Sequence, residues 1–275
     1  MENIKIHILH CGQVKVDIGT PFKQKTLNPV AYAGICRSKK YQVILPVSAY
    51  LIEHPKGLVL VDTGWHTAMR GSKSDLIKQT GHIHYKASKA ILPKGQAISE
   101  QLSVLGIKQE DIKYIVLSHL DTDHVSGLKL VERAQNILAS PYEWSSANKL
   151  GLRYKPQMWK GINIGTIQFQ NSGIGPQGLS FDLFGDGRIE LIHAPGHSKG
   201  GIVTKIENNG KYVLLTGDCG YATKSWKEMI LPGLYYNKKI MVNSLLWVQQ
   251  MAASPNCVKA LATHDPNIEP HIIEL

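Results

Sequence analysis

Residues 118–127 read "SHLDTDHVSG" and place His119, Asp121, Asp123 and His124 within six positions. A solvated turn needs polar side chains, but imidazoles and carboxylates gathered this tightly form the donor set of a metal site. The stretch follows the apolar run "IKYIVL", which has the pattern of a buried strand. Three other segments end the same way: "IELIHAPGH" at His197, "KYVLLTGD" at Asp218 and "VKALATH" at His264. Strands running alike into one sheet edge deliver such residues to one place, and binding sites are commonly built from loops at such an edge. A single polar residue at a strand end is ordinary. Four such ends, one of them carrying the 119–124 cluster, point to a shared centre.

The seven side chains divide into two sets. One metal ion takes His119, Asp121 and His197, and a second takes Asp123, His124 and His264. Asp218, with two oxygens, bridges them. Imidazole and carboxylate suit zinc, iron or manganese. No thiolate is needed, so Cys219 is expected to pack beside the site. In two-metal centres the ions lie about 3.5–4 Å apart and share an activated water.

The elements that must position these groups are strand-rich at both flanks. "IKIHIL", "YQVILPVSAYLIE" and "GLVLVDTG" read as strands, with a turn at "HPKG" joining the last two into a hairpin. The stretch from Trp65 to about Lys94 loses the pattern. It reads as a long basic loop with at most a short helix, and its His66, His82 and His84 read as solvated, with a place at a substrate mouth as the alternative. "AISEQLSVLG" reads as a helix capped by Ser99 and stopped by Gly106, and another helix is expected from His124 through "VSGLKLVERA". After the weakly patterned "YEWSSANKLGLRYKPQMWKG" come "TIQFQ", "LSFDLFGDGRIELIHAPG", "GIVTKIENNGKYVLLTGD" and "VKALATHD", with hairpin turns at "GDG" and "NNG". "NKKIMVNSLLWVQQMAAS" is apolar at helical spacing. This order suits one domain over residues 1–275, a sheet sandwich covered by helices, and not a doubly wound parallel sheet.

Composition narrows the class. A chain of 275 residues, 43% apolar, can bury a full core. Its formal net charge of +10, from 31 basic and 21 acidic residues, favours solubility and leaves fold undetermined. No run reaches the roughly 18 apolar residues of a membrane span, and the opening "MENIKIHILHCGQV" reads as a strand, not a signal peptide. The four scattered cysteines (Cys11, Cys36, Cys219, Cys257) form no CxxC pattern, which points to reduced thiols and a cytoplasmic protein. No motif supports a nucleic-acid partner. His193 reads as strand packing, and His7, His10, His54 and His271 as structural or surface residues.

The motifs resemble those of the metallo-β-lactamase-fold hydrolases, and within them the N-acyl homoserine lactonases, over nearly the whole chain. "LPVSAYLIEHPKGLVLVDTGW" resembles the family's N-terminal hairpin, "SHLDTDHVSG" its central metal motif, and "APGHSKGG", "LLTGDCGY" and "ATHD" its later ligand motifs in order. The resemblance implies an αββα sandwich (α+β) with two divalent metal ions, zinc foremost, at one edge of the sheets. It implies that Asp62 orients the ligand loop without binding metal. It also implies that Tyr221, three residues after Asp218, hydrogen-bonds a substrate carbonyl as charge develops. The activity implied is hydrolysis of a small-molecule lactone, the quorum-quenching reaction. A metal-bridging hydroxide attacks the ester, and Asp123 returns a proton to the leaving alkoxide.

One position departs from the family pattern His-x-His-x-Asp-His: the second histidine is Asp121. A carboxylate is a harder ligand and adds negative charge, so iron or manganese enters beside zinc. Rival readings are another hydrolase of the same fold acting on a thioester, phosphodiester or β-lactam, a di-iron redox protein, and a non-enzymatic binding protein. The motifs supply a tyrosine and no nearby arginine, though Lys199 and Lys224 could reach in, which favours a lactone over a phosphodiester. Oligomeric state and acyl-chain preference leave no trace in the residues.

Overall fold

A computed structural model describes residues 3–149 and 153–275. Met1 and Glu2 of the opening segment, and Leu150, Gly151 and Leu152 of the weakly patterned middle, lie outside the described residues. In chain order the first strands are β1 (Lys5–Asp17), β2 (Gln42–His54), β3 (Gly57–Val61), β4 (Ser88–Ile91), β5 (Ile112–Leu117), β6 (Ile137–Ala139) and β7 (Gly165–Thr166). They are followed by β8 (Gln170–Asn171), β9 (Leu179–Asp182), β10 (Ile189–His193), β11 (Ile202–Asn208), β12 (Lys211–Leu215), β13 (Cys257–Leu261) and β14 (Ile272–Glu274). The helices are α1 (Lys73–Thr80), α2 (His82–Ala87), α3 (Ile98–Val104), α4 (Thr122–Val125), α5 (Pro141–Ala147), α6 (Thr223–Lys227) and α7 (Lys238–Ala252).

Two sheets result. One runs β14-β1-β2-β3-β5-β6-β7 with β4 beside β1, and the other runs β13-β12-β11-β10-β9-β8. Side chains alternate across each strand, and the alternation sorts them into three apolar layers. Ile6, Ile8, Tyr50, Ile52, Val59 and Val116 of the first sheet meet Leu191, Ile206, Val213, Leu215 and Leu261 of the second. The opposite face of the first sheet, with Leu51, Leu60, Ile115 and Leu117, packs on Ile98 and Leu102 of α3. The outer face of the second sheet, with Val203, Tyr212 and Leu214, packs on Met241, Leu245 and Val248 of α7. The four layers are the expected αββα sandwich.

Several local expectations are corrected. The stretch 65–94 is not a long loop: it holds α1, α2 and β4. Ser72 caps α1 reciprocally with Asp75, and β4 adds to the edge of β1 from Gln13 to Val16. Ser99 falls inside α3. The position before the helix is Ala97, whose N–H donates to Oε2 of Glu100 at 2.9 Å. The helix expected from His124 through 134 ends after four residues and gives way to a tighter turn over Ser126–Leu130. Gly127 explains the change, because its backbone packs against Thr63, where a Cβ would lie 2.3 Å from the Thr63 carbonyl oxygen. "TIQFQ" divides between β7 and β8, one in each sheet. Among the described residues no helix is long and apolar enough to cross a membrane.

Candidate metal centre

Four strand ends meet at one edge of the sandwich. His119 follows β5, with Asp123 and His124 on α4 just beyond it. His197 lies in the loop after β10, Asp218 in the single turn after β12, and His264 just past β13. The strands β12 and β13 are parallel, and two antiparallel steps relate β12 to β10. All three therefore run into the same edge.

The seven side chains form two groups around Asp218. Oδ1 of Asp218 lies 3.3 Å from Nε2 of His124 and 3.3 Å from Nε2 of His264, which in turn is 3.5 Å from Oδ2 of Asp123. Oδ2 of Asp218 faces Nε2 of His197 at 3.5 Å and Nε2 of His119 at 3.8 Å. Oδ2 of Asp121 is 3.0 Å from the former nitrogen and 3.4 Å from the latter.

Each imidazole is held from behind through Nδ1. His124 donates to Oδ2 of Asp62 at 2.8 Å, His264 to the Pro46 carbonyl at 2.8 Å, and His197 to the Leu234 carbonyl at 3.1 Å. Nδ1 of His119 lies 3.1 Å from Oγ of Ser118, whose hydroxyl donates to Oδ2 of Asp62 at 2.7 Å. This pattern assigns the Nδ1–H tautomer to all four rings and turns each Nε2 lone pair inward. Asp62 sits at φ 61°, a backbone region costly for a residue with a Cβ. Three bonds secure it: from His124, from the Ser118 hydroxyl, and from the Ser118 N–H at 2.8 Å.

Nε2 of His119, His124 and His264 and Oδ1 of Asp218 are buried with no hydrogen-bond partner among the described residues. Such orphaned atoms are costly unless something satisfies them. Two nitrogen lone pairs facing one oxygen of Asp218 and a third facing its other oxygen are the chemistry of a divalent-cation site, so the residues present fit the expected metal.

Asp121 departs from that picture. Its carboxylate accepts two hydrogen bonds of 2.7 Å from Nε and Nη2 of Arg153. Nη2 also donates to Nε2 of His197 at 2.8 Å, and Nη1 to the His197 carbonyl at 2.8 Å. Burial alone would raise the Asp121 carboxyl. The guanidinium, with His119 and His197, overrides that and holds it well below the usual carboxylate range. Burial, then the same guanidinium, pushes His197 down. An arginine therefore stands in the site where the motifs offered none. Lys199 and Lys224 instead lie over the rings of Tyr236 and Phe22.

Other residues escape motif reading. Glu143 of α5 is fully buried. Its oxygens accept from the Leu120 N–H at 3.1 Å and the Gly200 N–H at 3.0 Å, so it staples the loop carrying His119 to the loop carrying His197. Tyr221 stacks on His264 at 5.0 Å and meets His197 edge-on at 5.8 Å. Burial, then Asp218, raises its hydroxyl well above the ordinary tyrosine value, so it is a donor. Cys219 is buried beside Asp218, its thiol pushed up to about 12 by burial. His193 points elsewhere and stacks on Tyr142. His84 lines the approach to the centre, with Nε2 on the Arg153 carbonyl at 2.9 Å; His66 instead caps the turn at Ala68.

Above the centre lies a cavity of about 370 Å³. Its floor is polar, with Asp121, Asp123, Arg153, His197, Tyr221 and His264. Its walls are apolar, with Val14, Val16, Val30, Ile35 and Ile83.

Known proteins resemble this chain in sequence and fold. An N-acyl homoserine lactonase, AttM, of Rhizobium radiobacter is 26% identical over 280 residues, spanning 97% of this chain and 95% of its own. An N-acyl homoserine lactonase of Bacillus cereus is 26% identical over 73% of this chain and 74% of its own. Among solved structures, an N-acyl homoserine lactone hydrolase with N-hexanoyl-L-homoserine bound at its catalytic metal centre superposes with a TM-score of 0.77. It is 21% identical and covers 97% of this chain and 95% of its own. A probable metal-dependent hydrolase from Staphylococcus aureus superposes at 0.71, with 18% identity over 98% of this chain and 93% of its own. The sequence pattern of the metallo-beta-lactamase superfamily matches residues 43–233, and with those motifs at the edge of an αββα sandwich the chain belongs to that superfamily.

Proposed function

We propose that the chain opens the ring of N-acyl homoserine lactones at a centre for divalent cations built from His119, His124, His197, His264, Asp123 and Asp218, with Asp121 at its margin. With lactonases and metallo-hydrolases as its relatives, the chain is a metal-dependent hydrolase acting on ester bonds. The observation that carries the finer reading is the convergence of orphaned Nε2 atoms on Asp218 directly beneath a cavity with apolar walls. A small polar ring at the floor with an acyl chain along Val14, Val16 and Ile83 matches that division.

When bound, divalent cations supply a water deprotonated near neutral pH and polarise the carbonyl oxygen. The chain's own residues do the rest. The four Nδ1 anchors fix the imidazoles, so little reorganisation accompanies binding. Tyr221, kept protonated by burial, donates to the carbonyl oxygen as charge develops there. Asp123, partly exposed to the cavity, takes up the proton that the attacking water gives up and passes it to the leaving alkoxide as the ring ester C–O bond breaks. The product is the ring-opened N-acyl homoserine. Arg153 does not favour a phosphodiester, because its three guanidinium nitrogens already bind Asp121 and His197.

The experiment is to load the full chain with zinc or manganese and assay acyl homoserine lactones, a glutathione thioester and a generic phosphodiester side by side. Lactones should turn over fastest. Preference for either other substrate would replace this reading.

A further inference from the structure

The two halves of the centre are unequal. On the Asp218 Oδ1 side, the facing nitrogens of His124 and His264 have no partner among the described residues. On the other side Nε2 of His119 is likewise unpartnered, but Nε2 of His197 and both oxygens of Asp121 are already satisfied by Arg153. Nη2 of Arg153 is within 2.7 Å of Oδ2 of Asp121 and 2.8 Å of Nε2 of His197, two atoms only 3.0 Å apart. Nε2 of His197 has one in-plane lone pair, and it already accepts from Nη2, so a metal ion binding that nitrogen must displace Nη2. The guanidinium is fixed in place by the paired bonds to one carboxylate and by Nη1 on the His197 carbonyl, the planar fork for which arginine is suited and lysine is not.

The charges agree with the geometry. A carboxylate at 121 adds one negative charge relative to the neutral imidazole of the common pattern, and Arg153 adds one positive charge. The pair leaves the centre's net charge where a histidine would have left it, but half of the pair is a cation at the position a metal would take. Asp121 alone therefore does not harden the site; it is the counter-ion of Arg153.

We propose that Arg153 is a built-in cation of this centre, competing with a metal ion for the His119, Asp121 and His197 group. The chain then takes one divalent ion tightly among His124, His264, Asp123 and Asp218, and a second one weakly. This rests on the metal-centre reading above.

The test is a metal titration that needs no turnover. The chelator-stripped full chain is titrated with zinc and with manganese by calorimetry, and with cobalt by absorbance. The wild type should bind one equivalent tightly and a second at least about tenfold more weakly, the scale set by placing a like charge within a few ångströms. Arg153→Met should tighten the second equivalent at least about tenfold and leave the first unchanged, whereas Arg153→Lys should keep the second weak. Should Arg153→Met fold poorly, Asp121→His answers independently. Although it restores the common motif, it leaves the guanidinium against a neutral ring and should weaken the second equivalent further. Two equally tight equivalents in the wild type, an unchanged second affinity in Arg153→Met, or a tighter second site in Asp121→His would each overturn the proposal while leaving the metal centre intact. Less than one equivalent in the wild type would overturn the metal centre itself, and this inference with it.

Discussion

Nδ1 of His124 donates a 2.8 Å hydrogen bond to Oδ2 of Asp62, a residue held at φ 61° at the end of β3. The same oxygen accepts the Ser118 hydroxyl, which leads on to Nδ1 of His119. One carboxylate outside the centre therefore sets which nitrogen two of its histidines present. Asp62→Ala should lower divalent-cation affinity about 10–100-fold, the usual effect of losing an outer partner of a metal-binding histidine, while retaining the fold. Competition against a chromophoric chelator measures it, and wild-type affinity in the variant would remove Asp62 from that role.

Tyr221 offers a hydroxyl that burial keeps protonated beside His197 and His264. Tyr221→Phe should cut lactone turnover about 10²–10³-fold, as loss of one oxyanion donor does, and leave metal content unchanged. Full activity in the variant would assign the tyrosine to packing.

Glu143 joins the loops of His119 and His197 from within the core. Glu143→Ala orphans the Leu120 and Gly200 N–H groups, at about 1–3 kcal/mol for each buried donor left unpaired. Urea unfolding should show that loss as a lower midpoint. Gly200→Ala should destabilise by a different route, since its Cβ would lie 2.2 Å from the Glu143 backbone nitrogen. A midpoint unchanged in both variants would mean the two loops hold their positions without the staple.

His193 carries a pH signature. Burial pushes its imidazole below the ordinary value of 6.5, against the upward pull of its bond to the Lys199 carbonyl. As pH falls, the unfolded chain protonates this residue first, so the stability its neutral form contributes is whole above pH 6.5 and is lost as pH drops through that value toward the folded one. His193→Phe retains a ring against Tyr142 and should lose less stability than the wild type between about pH 7 and pH 5.5. Parallel urea curves at the two pH values compare them; an equal loss in both proteins would show that this ring does not titrate on unfolding.

Much of the fold was legible because its signals are local. Alternating apolar residues in β1, β2, β10 and β11 and the helical spacing of 238–252 mark strands and a helix wherever they occur. The layered packing follows from which face each buries. The short helices α1 and α2 were not legible, because eight and six residues with a mostly polar composition carry little periodicity and gain their stability from what they pack on. Gly127 ended the helix after His124 for a similar reason: Thr63, more than sixty positions earlier in the chain, occupies the space beside it.

For the candidate centre, residue type and spacing within each strand end nominated the seven donor side chains, since those motifs are contiguous in the chain, and the family resemblance added Tyr221. Which atoms they present, and to what, was decided only in three dimensions. Asp121 reads in sequence as one more negative ligand, yet it lies in a bidentate pair with Arg153, 32 positions away in a segment with no motif. Glu143 lies in a stretch that reads as weakly patterned, yet it closes two loops from within the core. A charge's role depends on the charge and the space opposite it, and for Asp121 and Glu143 those are supplied by distant parts of the chain brought close by the packing of two sheets.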